Sequence, residues 1–204
     1  GKQIGDRLNL IGSIEARQSL ALQLIASARY REATKLLGSL LDDGHPVDFR
    51  LVSSTVARDP NASLFIDTLI ADFVNLLDRF PDDQSLQLSL AHLYQQNDQT
   101  KDALFLVQDL AKAMDDAPEV VMLEVELLER LGESSRAQRR LTQSLKSNPE
   151  SLDLRLRYAR KLLDQKKYNE AKEQFSLIVE LDPHDYDTLY SLALLSLEEN
   201  LLSD

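Results

Sequence analysis

Apolar residues recur at helical spacing in paired blocks along this chain. The clearest pair is LDLRLRYARKLL (Leu152–Leu163) and NEAKEQFSLIVEL (Asn169–Leu181), joined by the polar stretch DQKKY. Each block carries one apolar face at the i, i+3, i+4 spacing of an amphipathic helix, so the pair predicts a helical hairpin. Pro183 stops the second helix and turns Asp182 away from α geometry.

The pattern repeats. Ala171, Ala137 and Ala103 stand 34 residues apart, and so do Pro183 and Pro149. Pro81 lies two periods before Pro149, with Asp115 in the intervening slot. The period runs without insertion or deletion from Gln84 to Asp185. One hairpin cannot cover its own apolar faces, whereas stacked hairpins bury them against each other. The small side chain of Ala171 lets two helices approach, and Phe175 fills the space beside it.

With Leu152 as the first position, these residues resemble a tetratricopeptide repeat. Ala159, Tyr168, Ala171, Phe175 and Pro183 fall where that family places small, aromatic, alanine, large apolar and proline residues. The resemblance implies an all-α fold, an α-solenoid of helix-turn-helix repeats. The implied units are 14–47, 84–117, 118–151 and 152–185, with a degenerate unit over 48–83. Residues 186–204 read as the first helix of a further unit, and residues 1–13 as the end of a preceding helix or a leader. In the unit from Pro118, Val125 replaces the small residue, while Gly132, Ala137, Leu141 and Pro149 match. In the unit from Gln84, Leu90, Ala91, Tyr94 and Ala103 match. The first unit carries Leu20, Ala21, Tyr30, Ala33 and Leu37.

One joint is irregular. Pro60 falls inside the first helix of the degenerate unit, so that helix ends near Asp59 and Asn61 or Ser63 caps the next. Two extra residues also separate this unit from its predecessor. The stretch from Gly44 to Ala62 reads as a hinge or contact loop, or simply as a shortened, drifted repeat.

Composition narrows the function. The formal net charge is −11, which opposes nucleic acid or an anionic membrane surface as the main ligand. Arg136, Arg139 and Arg140 are the best local basic patch, equally readable as a solvated helix face. There is no cysteine, which excludes disulfides and thiolate metal sites. No apolar run reaches the roughly 20 residues that cross a bilayer, so direct membrane insertion of this segment is not expected. His45, His92 and His184 are far apart, and no nucleophile, metal or phosphate-binding motif accompanies them. No enzyme activity, metal or cofactor is expected. The pairs Asp42-Asp43, Asp82-Asp83 and Asp115-Asp116 precede first helices and read as N-caps.

The resemblance implies that first helices line a concave groove. Its candidate partner-binding residues are Leu88, Met122, Leu156 and Tyr190 in one row, and His92, Glu126, Arg160 and Leu194 in a second. A third row holds Gln95, Glu129, Leu163 and Leu197. The apolar row reads either as a seat for an amphipathic partner segment or as a seam covered by neighbouring units. Glu119, Asp153 and Asp187 occupy another groove position and would repel a terminal carboxylate. The expected function is an interaction scaffold or adaptor for another protein or peptide. The run LDPHDYDTLYSLALLSLEENLL is similar to bacterial envelope tetratricopeptide lipoproteins that serve as adaptors for periplasmic proteases. That likeness implies a protease partner and a periplasmic or outer-membrane-anchored location, with the cytoplasm as the alternative. Self-association into a homo-oligomer, and a regulatory domain of a larger enzyme, are the competing readings.

Overall fold

A computed structural model of the chain describes residues 13–202, with side chains through Leu197. Of the expected preceding helix or leader, residues 1–13, only Ser13 lies in the described part, where it caps the helix that starts at Ile14. Eleven α-helices and no strand occur among the described residues. The chain divides into two compact units, residues 1–113 and 114–204.

The first unit contains α1 (Ile14–Ala26), α2 (Tyr30–Asp42), α3 (Phe49–Val56), α4 (Ile66–Arg79), α5 (Gln84–Gln96) and α6 (Thr100–Ala113). Helices α1 and α2 pair, α3 packs on α1 and α5, and α2 packs on α4. Ala21 and Ala33 are fully buried, as are Phe49 and Phe73, whose rings meet edge-on at 5.6 Å. Gly38 sits where α2 meets α4. A Cβ there would stand 3.0 Å from Leu76 Cδ2, so the small residue sets how closely the two helices approach.

The second unit contains α7 (Pro118–Arg130), α8 (Ser134–Ser147), α9 (Leu152–Asp164), α10 (Tyr168–Leu181) and α11 (Tyr186–Leu202). Each helix packs on the next, and α7 also touches α9. Ala159, Leu162, Ala171, Phe175 and Ile178 form a core cluster, with Leu192 and Leu195 of α11 packed against it. Alanine and phenylalanine at the repeated positions are thus interior packing. Truncating Phe175 to Ala would cost about 3–5 kcal/mol.

The turns explain how one hairpin follows another. Ala28, Asp98, Gly132 and Lys166 all take left-handed backbone, with φ of 56°, 55°, 76° and 60°. At each, the following N–H reaches back to a carbonyl five residues earlier, as in Lys167 N to Leu162 O at 2.9 Å. This is a Schellman closure, and it satisfies carbonyls that the ending helix leaves open. Gly44 (φ 76°) ends α2 in the same way, with His45 N bonded to Leu40 O at 2.9 Å.

Helix starts differ from expectation at several places. Asp83 caps α5, accepting from Leu86 N at 2.8 Å. The other aspartate pairs do not cap. Asp42 accepts from Arg79 and Asp43 from Arg17, while Asp115 and Asp116 stand at left-handed φ of 50° and 58°. Position matters here: the caps of α3 and α11 are Asp48 and Asp185, each immediately before its helix.

At the irregular joint, α3 stops at Val56 and a 3-10 turn covers Ala62–Leu64. Neither Asn61 nor Ser63 caps α4, whose N-cap position is Phe65 with no side-chain bond. Asp59 instead organises the turn before the 3-10 segment, accepting Asn61 N at 2.9 Å and the Tyr30 hydroxyl. The Tyr30 and Phe65 rings lie 5.5 Å apart, tying the joint to α2. Ser85 and Ser89 of α5 bond the backbone of Phe49, holding the start of α3.

Candidate partner-binding site

The groove residues must be taken unit by unit. In the first, Leu88 on α5 is 6% exposed, while His92 and Gln95 are half-buried. Leu88 therefore offers a ligand almost no surface.

In the second unit, α7 and α9 form the walls of an open groove of about 330 Å³. Met122 and Leu156, both half-buried, line its apolar part, with Glu119, Asp153, Arg157 and Arg160 around them. The spacing places them there: Glu119 and Met122 are three residues apart on α7, and Asp153, Leu156 and Arg160 share one face of α9. The structure thus brings Met122, Leu156 and Arg160 together. Glu126 is exposed further along α7.

Glu129 is engaged within the unit. It accepts from Lys161 at 2.9 Å and from Arg157, so α7 and α9 are joined beside the groove. Neither cation stood out in the sequence. The signal was present as opposite charges at facing positions of successive first helices. Arg160, by contrast, is exposed and makes no ion pair among the described residues.

Leu163 is half-buried and packs against the α9–α10 core. On α11, Tyr190 and Leu194 are exposed, at 67% and 44%, and share a stripe with Tyr186 and Leu197. That face is apolar and open.

The expected basic patch is largely neutralised. Arg136 pairs with Glu133, and Arg140 reaches Glu124 at 2.6 Å and Asp116 at 2.5 Å. Burial works against the Arg140 charge, but its hydrogen bonds to Asp116 and Glu124 outweigh that and raise its pKa above the ordinary guanidinium value. Glu124 is buried, so this cluster is an internal fastening of α7 to α8. Among the described residues no group of three or more His, Cys, Asp or Glu is placed to hold a metal ion. No described helix is long and apolar enough to cross a membrane.

Left-handed turns recurring with the 34-residue period, buried alanines at the paired positions, and one further match together decide the architecture. Residues 130–200 match the family model described as tetratricopeptide repeat. Over that stretch the chain is similar to tetratricopeptide repeats. A TPR repeat-containing protein of Pseudomonas aeruginosa is 29% identical over 149 residues, covering 72% of this chain and 24% of the relative. The chain spans about a quarter of that relative's length. A thermophilic TPR protein in Thermus thermophilus superposes with a TM-score of 0.58 at 19% identity, over 91% of this chain and 100% of that one. A tetratricopeptide repeat protein from Parabacteroides merdae reaches 0.58 at 16% identity, over 91% and 73%. YrrB, described as a TPR protein with an unusual peptide-binding site, reaches 0.50 at 14% identity, over 74% and 76%. At these identities the likeness to the solved structures is one of fold. The fold is an all-α helical-repeat solenoid of a kind that generally serves as a protein-interaction scaffold.

Proposed function

We propose that this chain is a non-catalytic scaffold that seats a segment of a partner protein in the groove between α7 and α9. The observation that carries the reading is the placement of Met122 and Leu156, half-buried side by side and ringed by Glu119, Asp153, Arg157 and Arg160. An apolar floor with a charged rim suits an amphipathic segment. Substituting Met122→Asp and Leu156→Asp together would place carboxylates on that floor, desolvating charge whenever a partner docks. The double variant is expected to keep its helical circular dichroism and lose partners captured from native lysate. Retention of the same partners by a well-folded double variant would refute the groove.

A narrower reading is an adaptor for an envelope protease, anchored at the outer membrane or free in the periplasm. It is supported by whole-sequence resemblance alone. Cell fractionation of the native protein tests it, and recovery only from the cytoplasm would exclude it.

A second reading is self-association through α11. The exposed stripe of Tyr186, Tyr190, Leu194 and Leu197 favours it, because such a face gains by pairing. Mass by light scattering over a range of concentrations separates the two readings: a constant monomer mass removes self-assembly.

A further inference from the structure

The groove has a polarity that the scaffold reading does not use. Glu119, Asp153 and Asp187 stand one period apart at the same position of α7, α9 and α11, and all three are exposed. Met122, Leu156 and Tyr190 follow three residues later on the same helices. Residues three apart are neighbours on a helix surface, so a carboxylate row runs beside the apolar row. The opposite edge carries Glu126, Arg160 and Leu194 and has no single sign.

Arg157 is held by Glu129, and Asp153 and Asp187 make no ion pair among the described residues. Arg160 lies one turn beyond Leu156, on the other side of the apolar row. The chain as a whole carries −11, which adds attraction for a cationic partner and repulsion for an anionic one.

We infer that the occupant of this groove is a basic-edged amphipathic segment of a partner protein. Its apolar side chains lie on Met122 and Leu156, and its lysines or arginines lie along Asp153 and Asp187. The inference rests on the groove reading and adds the chemistry of the ligand. A segment with an acidic edge would place carboxylates against Asp153 and is refused. Each exposed pair contributes modestly, so the two together give a preference on the order of tenfold, weakening as salt rises.

The test uses three synthetic amphipathic peptides with one shared leucine face and an edge of lysine, glutamine or glutamate. Binding to the whole chain is read by fluorescence anisotropy at low and physiological salt. Wild type is expected to prefer the lysine peptide to the glutamine peptide by about tenfold at low salt, and to bind the glutamate peptide weakest. The double variant Asp153→Asn, Asp187→Asn should bind the lysine and glutamine peptides alike, with affinity for the glutamine peptide retained. The double variant Glu173→Gln, Glu180→Gln makes the same charge change on a different surface of α10 and should keep the preference.

Equal binding of the lysine and glutamine peptides by wild type, with both lost on Met122→Asp, overturns this inference and leaves the groove reading standing. A preference that survives Asp153→Asn, Asp187→Asn, or that falls equally with Glu173→Gln, Glu180→Gln, also overturns it, since net charge would then suffice. Failure of wild type to bind any of the three overturns the groove reading and this inference with it.

Discussion

Asp98 and Lys166 hold the same left-handed backbone, φ 55° and 60°, two repeat periods apart. Gly132 fills the position between them at φ 76°. A Cβ is costly in that region, and lysine has no compensating local bond of the kind that short polar residues make. Replacing Lys166 by Gly is therefore expected to stabilise the fold by about 0.5–1 kcal/mol, after the added freedom of the unfolded chain is counted. Asp98→Gly should gain less, and Gly132→Ala should lose about 1 kcal/mol. Urea unfolding of the three variants checks the order. Equal stabilities would mean that the turns carry no strain.

Most of this architecture was legible in the amino-acid sequence because packing positions must recur. Ala103, Ala137 and Ala171 are each nearly or fully buried, as a 34-residue step in small residues predicts. The backbone device at the turns was legible only at Gly132. Asp98 and Lys166 occupy an unfavourable conformation imposed by the hairpin, and their identities do not advertise it. Capping by Asp42-Asp43 and Asp115-Asp116 was misread because composition near a helix start resembles a cap, whereas capping needs one residue at one position. In the groove, Leu156 and Arg160 were legible through the family resemblance, which assigns those first-helix positions to that face. Arg157 and Lys161 on Glu129 were not, since their pairing depends on how α7 and α9 face each other.

The Arg140–Glu124 pair is shielded, with side chains 15% and 8% exposed. Removing Arg140 takes the guanidinium from the buried Glu124 carboxylate, whereas removing Glu124 leaves Arg140 bonded to Asp116. Arg140→Ala is expected to destabilise by about 3 kcal/mol, and Glu124→Ala by less. A double replacement by Met and Leu should recover much of the loss, because apolar packing substitutes for the pair. A double-mutant cycle by chemical denaturation measures the coupling. Additive single losses would show that the two act independently.

Two aspartates are expected to make the fold sensitive to acid. The Tyr30 hydroxyl, then the Asn61 N–H, hold Asp59 below its ordinary pKa, and the Thr188 hydroxyl and N–H do the same for Asp185. A carboxylate with a lowered folded-state pKa contributes stability above the unfolded value of about 3.9. That contribution fades as pH falls below this value and through the folded one. Unfolding midpoints in urea should thus fall between pH 5 and pH 3. Asp185→Asn keeps a capping oxygen for Thr188 and should flatten this fall. An unchanged slope in Asp59→Asn and Asp185→Asn together would assign the acid sensitivity to other groups.

The central claim is that a partner lies on Met122 and Leu156, and site-specific photocrosslinking reads it most directly. A photoreactive phenylalanine analogue is placed at Met122, at Leu156 and, as controls, at the exposed Phe105 and Leu177. The groove account predicts a crosslinked partner band from positions 122 and 156 and none from 105 or 177. Crosslinks to that partner from Phe105 or Leu177, with none from the groove, would contradict it.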